Sequence, residues 1–168
     1  MKKFWYVGVI LIPLIVLVLF MGCATEGGSG TGSFTYDGQT YPLTGAGLDI
    51  FTEYFEVNLV SSGINVAEWT GTGNIVWFDL TSPSTQGAPG TYDWAVTGGY
   101  ELYDAAISLN YVAGSGTGTW LSADDVLASS VDYVSIAVDG STYTFEFSLT
   151  MTDGKTVTGS YTGTVTIW

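Results

Sequence analysis

The side chains of this protein that could catalyse a reaction are almost all carboxylates. The sequence has 16 acidic residues, no histidine and a single cysteine, Cys23. Without histidine there is no Ser-His or Cys-His pair, and the usual general base at neutral pH is missing. Two carboxylates could still hydrolyse a glycosidic bond. The candidates are Glu53, Glu56, Glu68, Asp79, Asp93, Glu101 and Asp104. Because several of them fall in strand-like stretches, where a carboxylate normally faces water, we expect no catalytic residues and no enzyme.

Aromatic residues are the second group with chemical potential. Trp69 and Trp120 each border a loop rich in Gly and Thr, at 71–73 and 114–118. Exposed Trp and Tyr side chains can stack on sugar faces or anchor a protein partner. We therefore predict a ligand-binding surface for carbohydrate or protein that uses Trp69, Tyr100, Tyr103 and Trp120. The alternative for these rings is a place in the hydrophobic core, which we expect for Trp77 because it lies within a strand.

Acidic loops offer oxygen ligands of the kind that calcium prefers. Asp124, Asp125 and Asp132 are the residues concerned, but the chain has no Asp-x-Asp-x-Asp-Gly run. Asp124 and Asp125 are better explained as the first residues of a short helix after Ser122, since carboxylates stabilise a helix N-terminus. The sequence therefore predicts no metal site and no cofactor.

The charge of the chain excludes one class of partner. Its formal net charge is −13, and Lys2, Lys3 and Lys155 are the only basic residues. A nucleic-acid binder must neutralise phosphates with Lys or Arg. We therefore expect no nucleic-acid partner, and we interpret the acidity as an aid to solubility.

The N-terminus has the layout of a secretory signal. Lys2 and Lys3 precede an uncharged stretch from Phe4 to Gly22, which is the order of regions in a signal peptide. Leu19 to Cys23, LFMGC, resembles a bacterial lipobox, which implies cleavage before a lipidated Cys23. This predicts a signal peptide over 1–22, a lipid-bearing Gly/Ser tether over 23–32 and a single β domain over 33–168. The alternative is an uncleaved membrane helix.

The protein is therefore expected outside the cytoplasm, held to a bacterial membrane by the lipid on Cys23. Ala24 follows the cysteine where an Asp would stand in an inner-membrane lipoprotein. This resembles the address of an outer-membrane or cell-surface lipoprotein.

From position 33 the sequence alternates in the manner of β-strands. Asp37-Gly38 is a turn pair that places Phe34 opposite Tyr41 in a hairpin. Regular turns between short runs predict an all-β fold of about nine antiparallel strands, as a sandwich or a flattened up-and-down barrel.

The C-terminal part predicts a β-meander. A two-residue loop at Asp139-Gly140 pairs position 136 with 143, and a three-residue loop over 152–154 pairs 149 with 157. Both registers place the apolar residues on one face. The opposite face is a sheet of threonines with a few other polar residues, which suits solvent.

Two segments resemble a known group of proteins. SFTYDGQTYPL near position 33 and GSTYTFEFSLTMTDGKTVTGSYTGTV near the end resemble small all-β lipoproteins of uncharacterised function from Gram-negative bacteria. The resemblance implies a location and a fold, and it carries no activity. A non-enzymatic binding module for carbohydrate or protein is the leading hypothesis. The alternatives are a structural or assembly component of the cell envelope, and a barrel that binds a small apolar ligand.

Overall fold

A computed structural model describes residues 28–94, 99–123 and 132–168. Thirteen strands occur in these three ranges. They are β1 (Gly30–Tyr36), β2 (Gln39–Leu43), β3 (Gly45–Ile50), β4 (Phe55–Val60), β5 (Ile64–Asn65), β6 (Thr70–Thr81), β7 (Gly90–Asp93), β8 (Glu101–Val112), β9 (Thr117–Ser122), β10 (Tyr133–Asp139), β11 (Thr142–Thr150), β12 (Thr156–Gly163) and β13 (Thr166–Ile167). The all-β prediction is confirmed, whereas the count of about nine is too low. The strands that raise it include β5, β7 and β13, which have two to four residues and are too short to show alternation.

The strands form one mixed sheet in the order β13-β3-β4-β6-β8-β7-β10-β11-β12-β1-β2, with β5 beside β6 and β9 beside β8. Most pairs are antiparallel, but β13 with β3 and β7 with β8 are parallel. The described strands do not close into a barrel. The two separate sheets that define a sandwich are not seen either, because one path of hydrogen-bonded neighbours runs through the strands.

The sheet bends around a single main core. Phe78 on β6 and Phe147 on β11 have ring centroids 5.2 Å apart, although their strands are four places apart in the sheet. On a flat sheet that separation is about 19 Å. Their contact shows that one face of the bent sheet supplies both walls of the core. A smaller apolar cluster, which contains Ile64 and Tyr111, lies beside it.

The predicted turns are largely confirmed. Phe34 is opposite Tyr41, and Leu149 is opposite Val157 beyond the loop over 152–154. The loop of the β10–β11 hairpin differs, because it consists of residues 140 and 141 and leaves position 136 opposite 145. Gly140, with φ of 60°, takes the first loop position, which favours glycine in hairpins. The shift is two residues, so the apolar face is unchanged.

Lys155 lies in a polar cluster beside the first hairpin. Its Nζ is 2.9 Å from an Asp37 carboxylate oxygen and 3.5 Å from one of Asp153. The Tyr36 hydroxyl donates a 2.5 Å hydrogen bond to Asp153, and this bond is the main cause that lowers the pKa of that carboxyl. Among the described residues, Lys155 is the only basic side chain. Its positive charge is paired with the Asp37 and Asp153 carboxylates of this cluster.

The first strand begins slightly before the predicted domain boundary at residue 33. Residues 30–32, expected in the tether, pair with β12, and the Gly28 backbone N–H donates to Thr166 Oγ1. Cys23, the signal segment 1–22 and tether residues 23–27 lie outside the described residues. In the part of the chain that the structure describes, no helix is long and apolar enough to cross a membrane.

Candidate functional site

The outer face of the sheet is the one that points away from the main core. A groove lies on this face, over β3, β4, β6, β8 and β9. It has a volume of about 640 Å³. Its lining consists of Asp49, Glu56, Asn58, Trp69, Ile75, Trp77, Asp104, Ala106, Tyr111, Trp120, Ser122 and Trp168. We call it the tryptophan groove, since four of these residues are tryptophan. It brings Trp69 and Trp120 together, as a shared ligand surface requires.

The aromatic rings of the groove contact one another, edge-on in two pairs and tilted in the third. Trp69 lies 5.8 Å from Trp168 and 6.0 Å from Tyr111 between ring centroids, and Tyr111 lies 5.4 Å from Trp120. Edge-to-face pairs of this kind hold rings in a fixed orientation. Trp120 and Trp168 nevertheless remain 42% and 43% exposed. The groove therefore presents indole surface that is positioned and still accessible to a ligand.

The turn between β5 and β6 positions Trp69. The Glu68 backbone N–H donates to Asn65 Oδ1, which closes the turn, and Trp69 then adopts φ of 49°. A bulky residue is rarely found in this left-handed region. Such conformations persist only where the surroundings hold them, and they concentrate at functional sites. The backbone of Trp69 is therefore one sign that the position of its ring matters.

Trp120 and Trp168 are fixed by separate backbone contacts. The Trp120 indole N–H donates to the Gly116 carbonyl at 3.1 Å. The Trp168 backbone N–H donates to the Leu48 carbonyl, and its ring covers Gly47, where an added Cβ would lie 2.2 Å from ring atoms. Only a glycine leaves room for the ring at this place. The parallel pairing of β13 with β3 thus brings Trp168 into the groove.

Four carboxylates run across the sheet beside the aromatic rings. Asp49 is opposite Glu56, Glu56 is opposite Asp79, and Asp79 is opposite Asp104. We call these four residues the acid row. Like charges directly opposite one another destabilise a sheet. The row is therefore an arrangement that folding alone does not favour.

Asp79 shows the strain of the acid row most clearly. Burial is the main cause that raises the pKa of its carboxyl to about 6, and the charges of Glu56 and Asp104 raise it further. Its Oδ1 is buried and has no hydrogen-bond partner among the described residues. A proton or an external cation would satisfy this group.

The tryptophan groove has the size and chemistry of a small-ligand site, namely an open concave surface with apolar walls and a few polar groups. No family model, curated protein or solved structure matches this chain. The groove itself is therefore the feature that indicates a function.

Tyr100 and Tyr103, the other predicted ligand residues, lie outside the tryptophan groove. The half-buried ring of Tyr100 packs edge-on against Tyr92 at 5.2 Å and belongs to the periphery of the main core. Tyr103 is 69% exposed and lines a second depression of about 630 Å³. A register shift between Asp79 and Leu80 leaves Tyr103 without an opposite residue, so it and Asp104 both point outward.

Several residues of the groove are not among the predicted ligand residues. Trp77, expected in the core, is half-buried and faces the groove on the outer side of β6. Alternation shows that Trp77 points to the other face of the sheet from Val76 and Phe78. It does not show which of the two faces is covered by the core. Trp168 and Tyr111 were missed because only tertiary contacts bring them beside Trp69.

The calcium candidates give no metal site in the described structure. Asp132 is buried and accepts hydrogen bonds at 3.1 Å from the Thr150 N–H and hydroxyl. Asp124 and Asp125, with the short helix expected after Ser122, fall outside the described residues, and Ser122 itself ends β9. Within the described ranges, no three acidic or other metal-binding side chains are grouped to hold an ion.

Proposed function

We propose that this protein is a membrane-anchored, extracytoplasmic lipoprotein that binds carbohydrate in the tryptophan groove, without catalysis. The observation that carries the proposal is the convergence of Trp69, Trp120 and Trp168 on one accessible groove. Flat indole faces match the apolar faces of sugar rings. The carboxylates and Asn58 beside them can accept hydrogen bonds from sugar hydroxyls. The lipid anchor on Cys23 rests on the N-terminal sequence.

The size of the groove favours a carbohydrate over a protein partner. Its volume of about 640 Å³ lies within the usual range for small ligands, about 300–1,000 Å³. A stable protein interface needs about 800 Å² from each partner. A short oligosaccharide fits the groove better.

The other two functions receive less support from the structure. The interior is filled by core side chains, such as Phe34, Phe145 and Tyr161, whereas the aromatic lining of the groove faces outward. An assembly role through strand addition would use an edge of the sheet, and β2 forms one end of the strand order. It is five residues long and contains Pro42, and both features oppose edge pairing.

A glycan array followed by fluorescence titration tests the proposal. The full-length protein is used in a detergent without a sugar head group, alongside Trp69→Ala and Trp120→Ala. We expect saturable binding of an oligosaccharide that either substitution weakens at least about tenfold, since stacked anchors dominate such sites. Trp94→Phe is the matched control, because Trp94 packs at the main core outside the groove. Absence of binding across the array, with the fold intact, would refute the proposal.

A further inference from the structure

We propose that the carbohydrate ligand of the tryptophan groove is positively charged, namely an oligosaccharide with free amino groups. This inference rests on the proposed function and specifies its ligand class. Three features of the site support it: the charge of the groove, the position of the acid row relative to the indoles, and the cost of the row to the fold.

The charge of the groove is of one sign. Asp49, Glu56 and Asp104 line it, and none of the described residues that line it is basic. Within the described ranges the only basic side chain, Lys155, is held by Asp37 and Asp153. No cation of the described chain therefore neutralises the acid row. An ammonium group on the ligand would be its complement.

The acid row is adjacent to the indole surface. Asp79 and Trp77 are two residues apart on β6 and point to the same face, a separation of about 7 Å along a strand. Asp49 has the same relation to Gly47 on β3, which the Trp168 ring covers. A sugar ring stacked on either indole therefore holds its substituents within reach of a carboxylate. The indole faces also attract a nearby cation.

The repulsion within the acid row destabilises the fold, and this cost favours a ligand that binds to the negative charge of the row. Glu56, Asp79 and Asp104 are directly opposite one another on three neighbouring strands. Neutral polar residues would bind the hydroxyls of an uncharged sugar equally well and would avoid the repulsion. A cationic sugar removes the repulsion when it binds. Charge complementarity therefore explains why four acids occupy these positions.

Three tetrasaccharides with the same β-linked backbone provide the test, with a hydroxyl, a free amine or an N-acetyl group at the variable carbon. The probes are tetramers of glucose, glucosamine and N-acetylglucosamine, titrated into the full-length protein by tryptophan fluorescence in mildly acidic buffer. We expect the glucosamine tetramer to bind about tenfold more tightly than the glucose tetramer, because several partly exposed charge pairs each add a few-fold. Added salt should reduce this advantage.

Paired substitutions locate the effect. Glu56→Gln with Asp104→Asn should abolish the advantage of the amine, so that the glucosamine and glucose tetramers bind this variant with affinities within about twofold of each other. Asp139→Asn with Glu146→Gln is the matched control, because it removes two exposed charges outside the groove. This control should retain the advantage, which separates a local effect from the net charge.

The outcomes distinguish the two proposals. If the glucose or N-acetylglucosamine tetramer binds as tightly as the glucosamine tetramer, the charge inference is wrong and carbohydrate binding stands. If the amine is preferred equally by both paired variants, the attraction is not local and the inference is also wrong. If none of the tetramers binds and the glycan array is negative, both proposals fail.

Discussion

Asp79 on β6 is directly opposite Asp104 on β8, and the described lining of the groove beside them includes no basic side chain. Glu56 is opposite Asp79 on the other side. Three carboxylates therefore lie side by side, and the central one is partly buried. Because like charges repel, this arrangement should lower the stability of the fold, and that effect can be measured.

Asp79→Asn should stabilise the protein at neutral pH by about 1–2 kcal/mol, a figure reduced to allow for partial exposure. The pKa of Asp79 is raised to about 6 from an ordinary value near 4, so the folded state binds a proton more tightly than the unfolded state. In the parent protein the protonated Asp79 carboxyl is therefore compatible with the fold below about pH 4, and the parent loses stability as the pH rises from about 4 through 6 and this carboxyl ionises. Denaturant unfolding at several pH values measures it.

The control for this prediction is Asp139→Asn, since Asp139 is exposed at the end of β10. It should change stability by less than about 0.5 kcal/mol at any pH. Equal effects of the two substitutions would show that the acid row is not strained.

Phe78 and Phe147 should be energetically coupled across the core. Each Phe→Leu substitution should destabilise by about 1 kcal/mol or more, and the double variant should lose less than the sum by about 0.5–1.5 kcal/mol. The reason is the 5.2 Å contact between their rings. Equilibrium unfolding of the parent, the two single variants and the double variant gives the coupling free energy. Strictly additive losses would mean that the two walls do not meet at these rings.

Gly47→Ala should displace the Trp168 ring, because the new Cβ would lie 2.2 Å from ring atoms. The half-exposed ring can move, so the loss of stability should stay near about 1 kcal/mol. Near-ultraviolet circular dichroism should change, and ligand affinity should fall. In a Trp168→Ala background the same substitution should have no further effect on affinity. An additional loss there would place its action elsewhere.

Tyr36→Phe should lower the melting temperature at neutral pH but not in strong acid. The hydroxyl of Tyr36 bonds to Asp153, and this bond lowers the pKa of the carboxyl. The stabilisation is present while Asp153 is ionised and is lost as the pH falls through its lowered pKa. Thermal melts across acidic pH, repeated in an Asp153→Asn background, measure the effect. A constant difference at every pH would contradict this mechanism.

The sequence by itself determined local features of the fold, namely the alternation along strands and the pairing across short turns. Phe34 opposite Tyr41 and Leu149 opposite Val157 follow from turn chemistry and a period of two, because a one-residue slip would expose the apolar face. The observed β10–β11 loop lies one residue beyond the predicted one, which shifts the pairing of the two strands by two residues; a two-residue shift preserves the faces, so alternation cannot detect it. These features depend only on neighbouring residues.

Only the tertiary structure decided what the outer face of the sheet contains. Asp79 and Asp104 are distant in sequence from each other and from the Asp49–Glu56 pair, and strand order and register place all four in one row. The pairing of β13 with β3 brings Trp168 to Trp69. Alternation identifies the two faces of a strand, but neighbours across a bent sheet are fixed by long-range packing, which no local pattern records.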